Sequence, residues 1–347
     1  MIHFWRSALG AMGYTTVLVT TKVMVSTGTI ALARSQWARQ AALGLLLAVS
    51  ALCAGPVAAE ALRVCIPDDT PPYSWREKGA EQGFDVAVAQ RLAAALKRDL
   101  SLFWYDNEYD RESDGTLGVN ALLSAGLCEV VAGYTLYAPA LGKPWASVAR
   151  TPGYRGAKPP RQRPWITLGT TIPSRAYHSA QLALIVGPAT AGRTVDSLAD
   201  LSGMKLGTVA GSMGGTILRG YRKGIYLKDS VSLQSIVDPL DGLEAGRFAA
   251  TLTDVHSLDA WRVKHPQNHL TLTTYRHPAA FNIGFVALAG SERLVRQLND
   301  AIAALLAVNE LANLAAANAM TWMAPVEPQV AIDRSIAQLI EMAENRQ

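Results

Sequence analysis

From residue 60 onward, two hydrophobic periods take turns along the chain. Short apolar runs bounded by Pro, Gly and Asp read as strands: Leu62-Arg63-Val64-Cys65-Ile66, Ser101 to Tyr105, Leu127 to Gly133, Leu182 to Val186, Leu206 to Val209, Val231 to Ile236, Phe248 to Leu252 and Asn282 to Leu288. Between them apolar residues recur one turn apart, as in Phe84, Val88, Leu92 and Leu96, or Leu294, Leu298, Ile302 and Leu305, and each set predicts a helix with one buried face. Further helical patterns cover Val119 to Ala125, Val195 to Leu201, Pro239 to Ala245, Leu311 to Trp322 and Val330 to Met342. Strands alternating with helices predict α/β architecture with doubly wound, mostly parallel sheets.

The ends of three apolar runs hold the candidate chemistry. After Leu62 to Ile66 comes the turn Pro67-Asp68-Asp69-Thr70-Pro71-Pro72, followed by Tyr73 and Trp75, two aromatics at the carboxyl end of a strand, where open α/β sheets bind ligands. Leu206-Gly207-Thr208-Val209 breaks into Ala210-Gly211-Ser212-Met213-Gly214-Gly215 just before the next helix, so the unpaired N–H groups and positive dipole end at Ser212, Met213 and Gly214 suit a carboxylate or another anion. Phe248 to Leu252 leads to Thr253-Asp254. Ala210 to Gly214 also resembles a nucleophile elbow, but Asp254 and His256 share one short segment instead of arriving in the usual acid and base order. No catalytic group is therefore assigned.

The 347 residues are enough for two domains, and half of them are hydrophobic. The net charge of +4 is misleading. Four of the 32 basic residues, Arg6, Lys22, Arg34 and Arg39, lie in the first 59 positions, which hold no acid, so the remaining chain carries 28 of each sign and offers no nucleic-acid surface. Arg34 and Arg39 precede the uncharged run Ala41 to Ala59, which contains Leu43-Gly44-Leu45-Leu46-Leu47 and ends in Val57-Ala58-Ala59, the pattern of a signal peptide cleaved near Ala59. An uncleaved anchor is the competing reading. Residues 1–59 are thus read as an extended leader, with Met24 as an alternative start, and the protein as periplasmic.

Past the leader only Cys65 and Cys128 remain, at the starts of two strands expected to be neighbours, and in an oxidising compartment they imply one disulfide. No CxxC, HExxH or Cys/His cluster occurs, so neither a metal nor a cofactor is expected. From Tyr134 to Val195 there is no acidic residue, while Lys143, Arg150, Arg155, Lys158, Arg161, Arg163, Arg175 and Arg193 accumulate among prolines. Residues 138–165 read as a basic, proline-rich surface insertion, either a solvated loop or a dock for an acidic partner.

The order of these motifs resembles the periplasmic solute-binding proteins of family 3, the group that includes the polar amino-acid binding proteins of ABC importers. The residues carrying it are Leu62-Arg63-Val64 with Pro72-Tyr73, Gly83-Phe84-Asp85-Val86-Ala87, Gly126 to Val130, Ser174-Arg175-Ala176-Tyr177, Ser197 to Gly203 and Gly242 to Arg247. The resemblance implies a two-lobed type II binding-protein fold, each lobe a doubly wound sheet flanked by helices. Residues 60–175 and 281–347 would form lobe I and residues 176–280 lobe II. It further implies a monomer that closes on a small polar or anionic ligand held by Tyr73, Ser212, Met213, Gly214 and Asp254, and delivers it to an ABC permease; Trp75, Tyr134, Thr135 and Arg175 are further ligand candidates. One departure matters: Ala140 stands where the amino-acid binders carry the arginine that pairs with the ligand carboxylate. The setting of Cys65 and Cys128 also looks like a subgroup associated with quinoprotein alcohol and methanol dehydrogenases, which implies an accessory partner as the alternative. A dehydratase-like enzyme on the same fold is the second alternative.

Overall fold

The computed structural model describes residues 60–107, 115–190 and 192–345. The expected leader, 1–59, lies outside the described residues.

Two half-sheets are joined through a long antiparallel ribbon. In the first, β1 (Leu62–Asp68) lies between the parallel strands β4 (Leu100–Asp106) and β5 (Val130–Thr135). β1 is a central strand covered on both faces, and Leu62, Val64, Cys65 and Ile66 are all buried, which is why its run is nearly continuously apolar. In the second, β10 (Leu206–Val209) lies between β11 (Ser230–Leu233) and β12 (Ala250–Asp254), again parallel. The strands β9 (His178–Val186) and β13 (Thr271–Leu288) pair antiparallel with each other and continue into both halves, β9 onto β12 and β13 onto β5 and the short β8 (Thr171–Pro173). The sheet order is β11-β10-β12-β9-β13-β5-β1-β4. Two small hairpin pairs lie apart from it, β2 (Trp75–Glu77) with β3 (Ala80–Gln82), and β6 (Val148–Ala149) with β7 (Ile166–Thr167).

Both long strands exceed their apolar runs. β9 begins at His178 and not Leu182, and β13 at Thr271 and not Asn282. The added part of β13 contains Pro278 and two register shifts, between Leu272 and Arg276 and between Arg276 and Ala280, so its polar and apolar positions do not alternate cleanly.

Each half has its own core. On the first, α1 (Phe84–Ala95), α6 (Glu292–Ala307) and α7 (Glu310–Ala317) cover one face through Phe84, Val88, Leu92, Leu298, Ile302 and Leu311, while α2 (Gly115–Ser124) covers the other through Leu122 and Leu123. On the second, α3 (Met213–Gly224) packs Ile217, Leu218 and Tyr221 against the sheet, and α4 (Asp238–Glu244) and α5 (Val255–Lys264) close the opposite face with Leu240, Leu243, Leu258 and Trp261. The Val195 to Leu201 pattern is a single 3-10 turn, Leu198–Leu201, with Ser197 and Asp200 forming a capping box. Within the insertion, Arg163 donates to the carbonyls of Lys158 and Thr151, so the loop folds on itself around the β6 and β7 pair.

The C-terminal helix departs from the expected division. Residues 281–347 were expected in lobe I, yet α8 (Ile336–Glu344) buries Leu339 and Ala343 in the second core, against α3. Gly220 lets Ile340 sit close, since a Cβ there would come within 2.3 Å of Ile340 Cδ1 and the side chain would have to shift. The intervening strap is pinned along the ribbon. Thr321 donates to Asp259 of α5, Ser179 of β9 donates to the carbonyls of Met323 and Ala324, and Ala331 exchanges hydrogen bonds with Leu136 and Ala138. Buried Asn282 of β13 accepts from Val326 N at 2.9 Å and donates to the carbonyls of Val326 and Gln329 at 2.7 and 2.9 Å. Asn282→Ala leaves these groups unpaired, and thermal melting is expected to show a loss of about 2–3 kcal/mol.

Candidate functional site

A cleft of about 820 Å³ opens where the two half-sheets face each other across the ribbon. Its walls follow from the turns after the parallel strands. The loop after β1 supplies Asp69, Thr70 and Tyr73, the start of α1 supplies Asp85, and the end of β5 supplies Gly133 and Thr135. Across from them stand Asp254, His256 and Ser257 at the β12 to α5 junction, with Asp241 of α4, Trp261 and Lys264 of α5, and His265 just past its end.

Three rings meet at its floor. Tyr73, His178 and His256 have centroids 5.1 to 5.6 Å apart, and Tyr73 Oη is 2.5 Å from His256 Nδ1. His256 Nε2 lies 3.1 Å from the Thr321 carbonyl, so Nε2 carries a proton and donates; in the neutral ring Nδ1 accepts from the Tyr73 hydroxyl, and in the protonated ring Nδ1 donates to the Tyr73 oxygen. Asp254 N-caps α5 by accepting from His256 N at 2.9 Å, and its Oδ1 lies 3.6 Å from His256 Nδ1. Burial by itself would lower the His256 pKa, but the Asp254 hydrogen bond and charge, the Asp259 charge and the Thr321 carbonyl raise it overall. His178 is held well below its ordinary value by burial and by His256, and so is a neutral ring. Tyr73 is held well above its own, by burial first and then by the charges of Asp254, Asp85 and Asp259.

Asp85 was read from sequence only as part of a helix start. Here it is fully buried. Its N–H donates to the Tyr73 carbonyl at 2.9 Å, and its Oδ1 accepts from Tyr177 Oη at 2.7 Å. Burial pushes its carboxyl up to about 7, against the opposing pull of the Tyr177 hydrogen bond and the His256 charge.

Of the nine ligand residues expected from sequence, Tyr73, Thr135 and Asp254 line the cleft and the other six do not. Trp75 begins the outlying β2 hairpin, and Tyr134 points into the first core, where its hydroxyl donates to the Ala140 carbonyl. Arg175 is exposed, and its N–H donates to Asn299. Ser212 N-caps α3, accepting from Gly215 N and donating to the Val209 carbonyl, and Gly214 packs so close to the Leu252 carbonyl that a Cβ would come within 2.0 Å. Next to that turn, Gly211 and Gly215 line a second cavity of about 420 Å³ with Arg219 of α3 and Ile340 of α8. Sequence reasoning missed Asp85, His178, Tyr177 and Trp261 as site residues; Asp85 left a trace as a lone acid inside Phe84-Asp85-Val86-Ala87-Val88, and Tyr177 as the end of Ser174-Arg175-Ala176-Tyr177.

Cys65 and Cys128 are joined by a disulfide within the first core. Among the described residues no three His, Cys, Asp or Glu side chains are grouped to hold a metal ion.

No family model matches the chain, and no curated protein does. Solved structures do. The L-cystine solute receptor of Neisseria gonorrhoeae, in its unliganded open conformation, superposes with a TM-score of 0.54 at 19% identity over 79% of this chain and 96% of its own. The second substrate-binding domain of Lactococcus lactis GlnP, also open, gives 0.53 at 15% identity over 75% and 95%. The second substrate-binding domain of a putative amino-acid ABC transporter from Streptococcus pneumoniae gives 0.53 at 15% identity over 75% and 99%. The fold is that of the two-lobed solute-binding proteins.

Proposed function

We propose that the chain is an exported solute-binding protein that closes its two lobes on a small polar solute and presents it to an ABC permease. The observation that carries this reading is the cleft itself, with Tyr73 and Thr135 on one wall facing Asp254 and His256 on the other, over a two-stranded ribbon able to act as a hinge. Of the two solute classes left open by the sequence, polar and anionic, the lining favours the first. Among the described residues, Asp69, Asp85, Asp241 and Asp254 line the cleft against a single lysine, Lys264. The turn at Ser212 to Gly214, expected to anchor an anion, is not among its walls. The test is a thermal-shift screen of small solutes followed by X-ray scattering on any that stabilise the protein. A bound solute is expected to reduce the radius of gyration, and a stabilising solute that leaves it unchanged would count against closure.

One observation favours a second role beside solute binding, that of the basic insertion as a dock for an acidic protein partner. Trp145 and Trp165 of the acid-free insertion are 74% and 60% exposed, and Arg150 lies over the Trp165 ring at 4.4 Å. Exposed tryptophans ringed by cations suit an acidic protein surface. Reversing the charges of Arg155 and Lys158 should then abolish binding of an acidic protein partner at low salt while solute binding persists.

A further inference from the structure

Asp85 has one oxygen with nothing to bind. Oδ1 is taken by Tyr177, whose hydroxyl in turn accepts from Gly133 N at 2.9 Å, but Oδ2 is buried and without a hydrogen-bond partner. Gly133, which also lines the cleft, packs directly against it. That glycine has φ 69°, and a Cβ on it would come within 2.8 Å of Asp85 Oδ2. A buried carboxylate oxygen facing a cleft without a donor is complete only when a donor arrives. The donor is not a metal ion, because Asp85 belongs to no cluster of metal-ligating side chains among the described residues. Nor do the walls suit a solute that carries its own carboxylate: among the described residues they contain three further aspartates, Asp69, Asp241 and Asp254, against Lys264 and no arginine.

Resting on the solute-binding reading above, we propose that the cleft takes an organic amine lacking a carboxylate, with its ammonium group donating to Asp85 Oδ2 and its hydrocarbon part lying against Tyr73. Asp254, from the opposite wall, adds attraction that grows as the lobes close. The ammonium must meet an ionised Asp85. The groups that act on that carboxyl are Tyr177, His256 and, from the loop after β1, Tyr73; the neutral ring of His178 at the head of β9 and Asp254 at the β12 to α5 junction lie against His256 in turn. Because Asp85 titrates at about 7, an amine that stays protonated throughout binds about tenfold more tightly at pH 8 than at pH 6, and at pH 6 it displaces close to one proton.

Calorimetric titration tests this with methylamine, ethanolamine, 1,4-diaminobutane and 1,5-diaminopentane beside L-lysine and glutarate, in two buffers of different ionisation enthalpy. The expected result is binding of at least one amine, release of close to one proton at pH 6, L-lysine no tighter than 1,5-diaminopentane, and a loss of about thirtyfold or more in Asp85→Asn, whose folding is checked by its melting curve. Binding of L-lysine or glutarate without the amines would overturn the inference while leaving the solute-binding reading intact. So would a hit from the wider screen when no amine binds. Failure of every solute to bind or close the protein would overturn both.

Discussion

Reduction of the Cys65 to Cys128 bridge, or its replacement by two alanines, is expected to remove about 4 kcal/mol from the first lobe and to lower its melting midpoint by about 10 °C. The bridge joins residues 63 positions apart, so in the unfolded chain it closes a long loop and removes much of the entropy that folding must overcome. The native side adds to this. β1 and β5 touch through only two residue pairs, Val64 with Val130 and Cys65 with Val131, so the covalent link stands in for a ladder too short to fix that register strongly. Both sulfurs lie in the core with Leu122, Leu123 and Val131, where alanine leaves a cavity. The second lobe holds no cysteine, and its cluster of Ile217, Leu218 and Tyr221 is far removed in the sheet order. The loss should therefore split one unfolding transition into two, the first lobe melting early. Calorimetry with and without reductant reads this directly, and an unchanged midpoint in the reduced protein would show that the first lobe does not depend on the bridge.

The parts of the fold that announced themselves in sequence are those whose burial has a simple period. Phe84, Val88 and Leu92 form one stripe because α1 covers a single sheet face, and Leu62 to Ile66 form a solid run because β1 is covered on both. The hinge strands do not behave this way. Residues 271–281 of β13 pass from one half-sheet to the other, change partner register twice and carry Pro278, so no one face is buried throughout and no alternation survives. The docking of α8 on the second lobe was unreadable for a different reason. Its apolar stripe shows that Leu339 and Ala343 need a partner, but the partner is chosen by the strap from 320 to 335, which Asn282 and Ser179 hold in place.

The cleft was half legible on the same grounds. Tyr73, Thr135 and Asp254 stand at or just past the carboxyl ends of strands, positions that face the crevice in any such sheet. Ser212 shares that position in sequence, but its hydroxyl is spent on capping α3. Asp85 stayed hidden because an acid in the first turn of a helix already has a local explanation in the helix dipole. Only the packing of Tyr177, Gly133 and the Tyr73 loop around it shows that the side chain is turned inward.

That inward turn has a cost in stability that Asp85→Asn should recover. An unfolded Asp ionises near 3.8, whereas burial holds the folded carboxyl up to about 7. Between these values the folded protein keeps a proton that the unfolded chain has lost, so stability falls as pH rises from about 4 to 7 and stays lower above that. The difference corresponds to about 4 kcal/mol for a side chain with no exposed surface. Asparagine fits the same space, and its carbonyl can still accept from Tyr177, but it carries no charge to desolvate. Urea unfolding should therefore find Asp85→Asn about 2–4 kcal/mol more stable than the parent at pH 8 and nearly equal to it at pH 4. A gain of the same size at both pH values would mean that the ionised carboxylate is not its source. Adding an amine that binds should narrow the gap at pH 8 by stabilising the parent alone, since only the parent offers the ammonium a charge to pair with. A carboxylate retained at that expense is what a site whose partner arrives from outside requires: it is poorly solvated in the empty cleft and satisfied when the cleft is filled.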